Sequence, residues 1–112
     1  MKTVREFYPD AERYLFDFKL CTFKKGYAQL DTDQDAWYFG TWANPEKLII
    51  VSYAEGDCTI QYADSKEEFI KEINKWVEWN NENGFSPVRI DPGLNEGLIK
   101  RFKSLGLGNL LH

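Results

Sequence analysis

The amino-acid sequence predicts an α+β fold, an antiparallel β-meander of about five strands followed by two C-terminal helices packed on the sheet. Three observations carry it. Apolar residues recur with a period of two through much of the first 62 residues, short turn sequences punctuate them, and at Ser65 the period becomes helical. A length of 112 residues is that of one domain, so residues 1–112 are read as a single α+β unit.

Residues 1–12 mix Pro9 with charges and aromatics and read as an N-terminal arm or short helical turn. Arg13–Phe23 places Tyr14, Phe16, Phe18 and Leu20 on alternate positions, which predicts a first strand with one buried face. Lys24-Lys25-Gly26 then reverses the chain into Tyr27–Leu30, making the first two strands a hairpin. Asp31–Asp35 is a polar turn before the aromatic strand Ala36–Ala43, where Trp37 and Phe39 face one way and Tyr38 and Trp42 the other. Gly40 inside that strand marks a bulge or a close approach by another group. Asn44-Pro45-Glu46 leads into Lys47–Tyr53, whose Leu48-Ile49-Ile50-Val51 run suits a central strand. Glu55-Gly56 connects it to a last strand with Cys58, Ile60 and Tyr62 in alternation.

Ser65 and Glu68 have capping-box spacing, so a helix is predicted over 66–82 with Phe69, Ile73, Trp76 and Asn80 along one stripe and Gly84 as its stop. Ser86–Asp91 is an edge strand or an extended connection. Asn95–Leu105, with Leu98, Ile99, Phe102 and Leu105 at helical spacing, is the second helix. The C-terminal tail, residues 106–112, keeps Leu107, Leu110 and Leu111 and is expected to pack back.

Composition narrows the function. Eighteen Asp and Glu against fourteen Lys and Arg give a net charge of −4, the wrong sign for general attraction to nucleic acid or anionic lipid, so no direct nucleic-acid contact is expected. The longest apolar run, Leu48–Val51, is far too short for a membrane helix, and Met1–Asp10 has no apolar leader core, so a cytoplasmic protein with no membrane contact is expected. Cys21 and Cys58 lack C-x-x-C spacing and read as reduced thiols.

The chemical motifs are sparse. Asp31-Thr32-Asp33-Gln34-Asp35 begins like a calcium loop, yet the sixth and twelfth positions are Ala36 and Trp42 rather than Gly and Glu, so no metal is expected. His112 is the only histidine and the last residue, which disfavours histidine-based triads and metal sites. Asp57 beside Cys58 opposes thiolate formation, and Glu55 with Asp57 lacks a positioned acid–base partner. Gly106-Leu-Gly108 lacks the third glycine of a phosphate loop. The expectation is a protein that is not an enzyme, with no catalytic residues and no cofactor. Trp37, Tyr38, Phe39, Trp42 and Tyr53 lack the basic escort that stacked bases require, Lys47 being the lone cation between Asp31 and Ala63. Lys100, Arg101 and Lys103 suit the negative end of the last helix.

Strand alternation in a meander places the turns Asp31–Asp35 and Glu55–Asp57 at one end of the sheet, gathering five carboxylates on one rim. Asp31, Asp33, Asp35, Glu55 and Asp57, with Trp37 and Trp42 adjoining, are therefore the candidate binding residues, suited to a basic protein surface. The alternative is a small-molecule or nucleotide-sensing domain in which the aromatic strand lines a pocket and Gly40 makes room for ligand.

The stretch Asp33-Gln-Asp-Ala-Trp-Tyr-Phe-Gly-Thr-Trp-Ala-Asn-Pro45, with Ser52-Tyr-Ala-Glu-Gly-Asp-Cys58 and Ile90-Asp-Pro-Gly93, resembles small uncharacterised proteins encoded on bacterial plasmids and phages. The resemblance covers most of the chain after Gly26 and assigns no activity or catalytic residue. What it implies is context, since small proteins of mobile elements often act by binding host machinery, including as inhibitors of defence systems. The functional expectation is a noncatalytic protein-binding module whose partner is a host protein with a basic surface.

Overall fold

A computed structural model describes residues 1–7, 16–17, 22–23, 26–31, 39–54, 57–84 and 87–111. The strands are β1 (Lys2–Phe7), β2 (Phe16–Asp17), β3 (Thr22–Phe23), β4 (Ala28–Asp31), β5 (Phe39–Asn44), β6 (Ile49–Ala54), β7 (Asp57–Tyr62) and β8 (Arg89–Asp91). Helix α1 (Lys66–Glu82) lies between β7 and β8, and α2 (Glu96–Ser104) follows β8 before a 3₁₀ turn at Gly108–Leu110. The fold is α+β. Its main sheet is antiparallel with strand order β1-β7-β6-β5-β4-β8, so the consecutive strands β4 to β7 form the meander and β1 and β8 flank it.

Two expectations at the N-terminal end need correction. Lys2–Phe7 is a strand rather than an arm or helical turn, with Val4 opposite Ile60 of β7. Its β-branched pair Thr3-Val4 is surrounded by charge, and the pairing comes from a strand more than fifty residues away, which no local pattern announces. Within Arg13–Phe23, Phe16 pairs with Phe23 and Asp17 with Thr22, so the chain reverses inside what reads as one strand. Period-two alternation continues across a reversal, because both arms of a hairpin share it. Consequently Lys24-Lys25-Gly26 does not join two strands of one hairpin: β4 pairs with β5 and β8, while β2 and β3 form their own two-stranded sheet. Tyr14, Phe18, Leu20 and Cys21 lie outside the described residues.

Parity along the strands builds two apolar clusters. Ala28, Leu30, Ala43, Ile50 and Ile90 meet Phe69 and Ile73 of α1, Leu98 and Phe102 of α2, and Val88, Leu105 and Leu107 on the helix side. Ile49, Val51 and Ile60 form the cluster of the opposite face, with Tyr27, Trp42 and Tyr62 packed against it. Neighbouring Ile50 and Val51 are both fully buried, so β6 is covered on both faces as a central strand requires.

The helices start where their caps dictate. Ser65 Oγ accepts from the Glu68 N–H at 3.1 Å, and Asn95 Oδ1 accepts from the Leu98 N–H at 3.1 Å. Gly84 (φ +74°) follows the end of α1 in the left-handed conformation that favours glycine. Asn80, on the buried stripe of α1, is 1% exposed, and its Nδ2 has no hydrogen-bond partner among the described residues. The chain after α2 folds back over the sheet: Leu105 and Leu107 are buried, Leu110 and Leu111 pack on the helix-side core, and Leu111 bridges to Ile90.

Candidate functional site

The meander fixes which connections share an end of the sheet. Register pairs Phe39 with Ala54, Ala54 with Asp57, and Asp57 with Phe7. Thus β4 and β6 end, and β5 and β7 begin, at one edge, from which the connections 32–38 and 55–56 both leave. The backbones of Asp31 and Asp57 stand at this rim. Asp33, Asp35, Trp37 and Glu55 belong to those connections and lie outside the described residues, as does His112.

Trp42 is the candidate binding residue whose side chain the structure describes. It lies on β5 between Val51 of β6 and Gln29 of β4, half-buried against the cluster of Ile49, Val51 and Ile60. Its ring also covers Gly40, two residues earlier on the same face: a Cβ added at Gly40 would stand 2.7 Å from Trp42 Cη2. The absent side chain therefore makes room for indole. That packing weighs against the reading in which Gly40 makes room for a ligand.

The register brings two residues to this edge that the sequence reading left out. Arg89 stands directly opposite Asp31, so the rim includes a cation beside its first carboxylate position. Glu6, paired with Cys58 one residue from the end of β1, adds another acidic position. Neither was legible: Arg89 belongs to a strand of three residues, and β1 is paired only through the tertiary fold.

At the far end of the sheet polar chemistry shapes the backbone. Buried Asn44 accepts through Oδ1 from the Glu46 N–H at 3.1 Å and the Lys47 N–H at 2.9 Å, which closes the turn between β5 and β6. Leu48 completes that turn at φ +59°, the one non-glycine residue with positive φ among those described. A cleft of about 400 Å³ separates this turn from Asn95, Gly97 and Arg101 of the α2 region. Along α1, a groove of about 450 Å³ runs past Trp76, Trp79 and Gln61, with Lys75 Nζ 3.0 Å from Glu72 Oε1 at its side. Trp76 is half-buried and Trp79 is 45% exposed, as their positions on and beside the buried stripe imply.

Among the described residues no three His, Cys, Asp or Glu side chains gather as a metal site, and no helix is long and apolar enough to cross a membrane. On the face opposite the helices, burial first and then the neighbouring Tyr62 push the Tyr27 phenol up to about 12. The shift extends into alkali the pH range over which the Tyr27 phenol stays protonated and its ring neutral. Comparison of the chain with family models, with curated proteins and with solved structures finds no match.

Proposed function

We propose that the protein is a noncatalytic, cytoplasmic protein-binding module of a mobile genetic element, which presents its acidic rim to a basic surface of a host protein. The observation that supports this reading is the departure of connections 32–38 and 55–56 from one end of the sheet. Their residues Asp33, Asp35 and Glu55, with Asp31 and Asp57 at the strand ends, concentrate negative charge where it attracts a cationic partner and sets its orientation. Trp37 supplies the kind of ring that anchors such an interface, whereas Trp42 packs on the Ile49, Val51 and Ile60 cluster. The mobile-element context, with a host defence system among the targets, rests on the resemblance of the 33–45, 52–58 and 90–93 segments.

The reading is tested by affinity capture from bacterial lysate with the wild type and the triple variant Asp33→Lys/Asp35→Lys/Glu55→Lys. Expected is a basic host protein bound by the wild type at low salt, released as salt screens the rim, and absent from the variant. Melting curves establish that the variant is folded. A partner retained equally by both chains would remove the rim from the interface.

A further inference from the structure

The edge strand β8 is covered by the chain's own C-terminal segment. Ile90, its central residue, is fully buried, and Leu111 makes a parallel bridge to it. The segment reaches that position through a compact turn: Gly106 takes φ +76°, Leu107 inserts into the core, and the Leu110 and Leu111 N–H groups donate to Leu107 O and Gly108 O at 3.0 and 3.2 Å. Among the described residues the attachment beyond Leu107 is made by the bridge of Leu111 to Ile90 and by half-buried Leu110 and Leu111. Such an attachment opens more readily than the core beneath it.

What lies under the segment is a strand complementary to itself. Arg89 and Asp91 flank Ile90, are both exposed, and point to the sheet face opposite the one Ile90 joins. When two copies of β8 pair antiparallel about Ile90, Arg89 of each copy stands directly across from Asp91 of the other, on one face. The two-fold axis makes this opposite-charge pair twice. The Gly93 N–H donates to Asp91 Oδ1 at 2.9 Å, which holds that carboxylate at the strand end.

We propose that Leu107–Leu111 is an edge guard, and that the partner it keeps from β8 is a second copy of this chain. An uncovered edge strand is a template for pairing with another chain, and folds commonly protect such edges with a loop or with charge. Here the charges invite self-pairing and the loop prevents it. Release of Leu110 and Leu111 uncovers β8 and leaves Leu107 in place, so two sheets join through a short, weak, salt-sensitive interface.

Sedimentation equilibrium of the full chain tests this from about 10 μM to about 1 mM, the range in which so short an interface associates. The wild type is expected to remain a monomer, and Leu110→Ser/Leu111→Ser to associate to a dimer; Leu111→Ala is the gentler companion. Adding Arg89→Asp to the undocked chain sets like charges across both pairs and should weaken the dimer about tenfold, and Arg89→Asp/Asp91→Arg should restore it. The proposal is overturned if both undocked chains fold and sediment as the wild type, or if their association ignores the charge series. It also falls if both lose cooperative unfolding, since the segment would then be core rather than guard.

Discussion

The two faces of the sheet are built from different side chains, although one strand supplies both. Ile50 and Val51 of β6 turn in opposite directions and each is fully buried. On the helix side the partners are aliphatic residues with Phe69 and Phe102, none of which carries a polar side-chain atom. On the opposite side Ile49, Val51 and Ile60 are bordered by Tyr27, Trp42 and Tyr62, each of which brings an O–H or N–H with its ring. The helix side therefore depends chiefly on volume, with Asn80 the polar side chain buried on the stripe of α1. The aromatic side depends on ring placement and on the protonation of the Tyr27 phenol as well.

The largest expected effect tests the volume-dependent face. Phe102 is 0% exposed in the helix-side cluster, so Phe102→Ala removes a full ring from the core. Urea denaturation should show a loss of about 3–5 kcal/mol of unfolding free energy. A loss below about 1 kcal/mol would mean that α2 stands outside the cooperative core.

A smaller effect tests shape on the aromatic face. Gly40→Ala sets a methyl group 2.7 Å from Trp42 Cη2, so the indole that packs on Ile49, Val51 and Ile60 or the strand beneath it must shift to admit it. Overpacking of this kind costs about 1–3 kcal/mol. Against a Trp42→Leu background, which removes the ring, the same glycine substitution should cost much less. A double-mutant cycle measures that coupling, and strict additivity would separate Gly40 from Trp42 energetically.

These two faces also mark how far the sequence could be read. The continuous run Leu48–Val51 and the alternation of Cys58, Ile60 and Tyr62 give the central strands, because a strand covered on both faces is apolar throughout and one covered on a single face alternates. Ser65, Glu68 and the stripe Phe69, Ile73 and Asn80 give α1, since a helix cap and its buried face are local properties. Edge pairing is not local. Nothing in Lys2–Phe7 names β7 as its neighbour, so β1 emerges only when the whole sheet is assembled, and although Ser86–Asp91 reads as an edge strand or an extended connection, nothing in Arg89–Asp91 names β4 as the strand it joins. The reversal between Phe16 and Phe23 was hidden for a different reason, because both of its arms keep the same alternation. For the candidate site, the shared end of connections 32–38 and 55–56 followed from meander geometry, whereas Arg89 opposite Asp31 required the β4–β8 register. The packing of Trp42 was partly announced by Gly40, a residue whose missing side chain marks a close neighbour without naming it.

The smallest effect belongs to the phenol that borders the aromatic face. Burial, and then Tyr62, raise the Tyr27 hydroxyl to about 12 from an ordinary value of 10.0, so the folded chain keeps this proton to a higher pH than the unfolded chain does. The stability this contributes is fully present below pH 10 and is lost as pH rises from about 10 through about 12. Tyr27 is half-buried, so water screens part of the interaction and the change is modest. Comparison with a chain that lacks this hydroxyl isolates its contribution, so the informative quantity is a difference between two chains. Melting temperatures of the wild type and Tyr27→Phe should run parallel up to about pH 9, and the wild type should then fall relative to the variant in the alkaline limb, because phenylalanine has no proton to lose. Parallel curves through pH 12 would place the Tyr27 hydroxyl in water. The aromatic face would then depend on ring shape alone, and its difference from the helix side would reduce to packing.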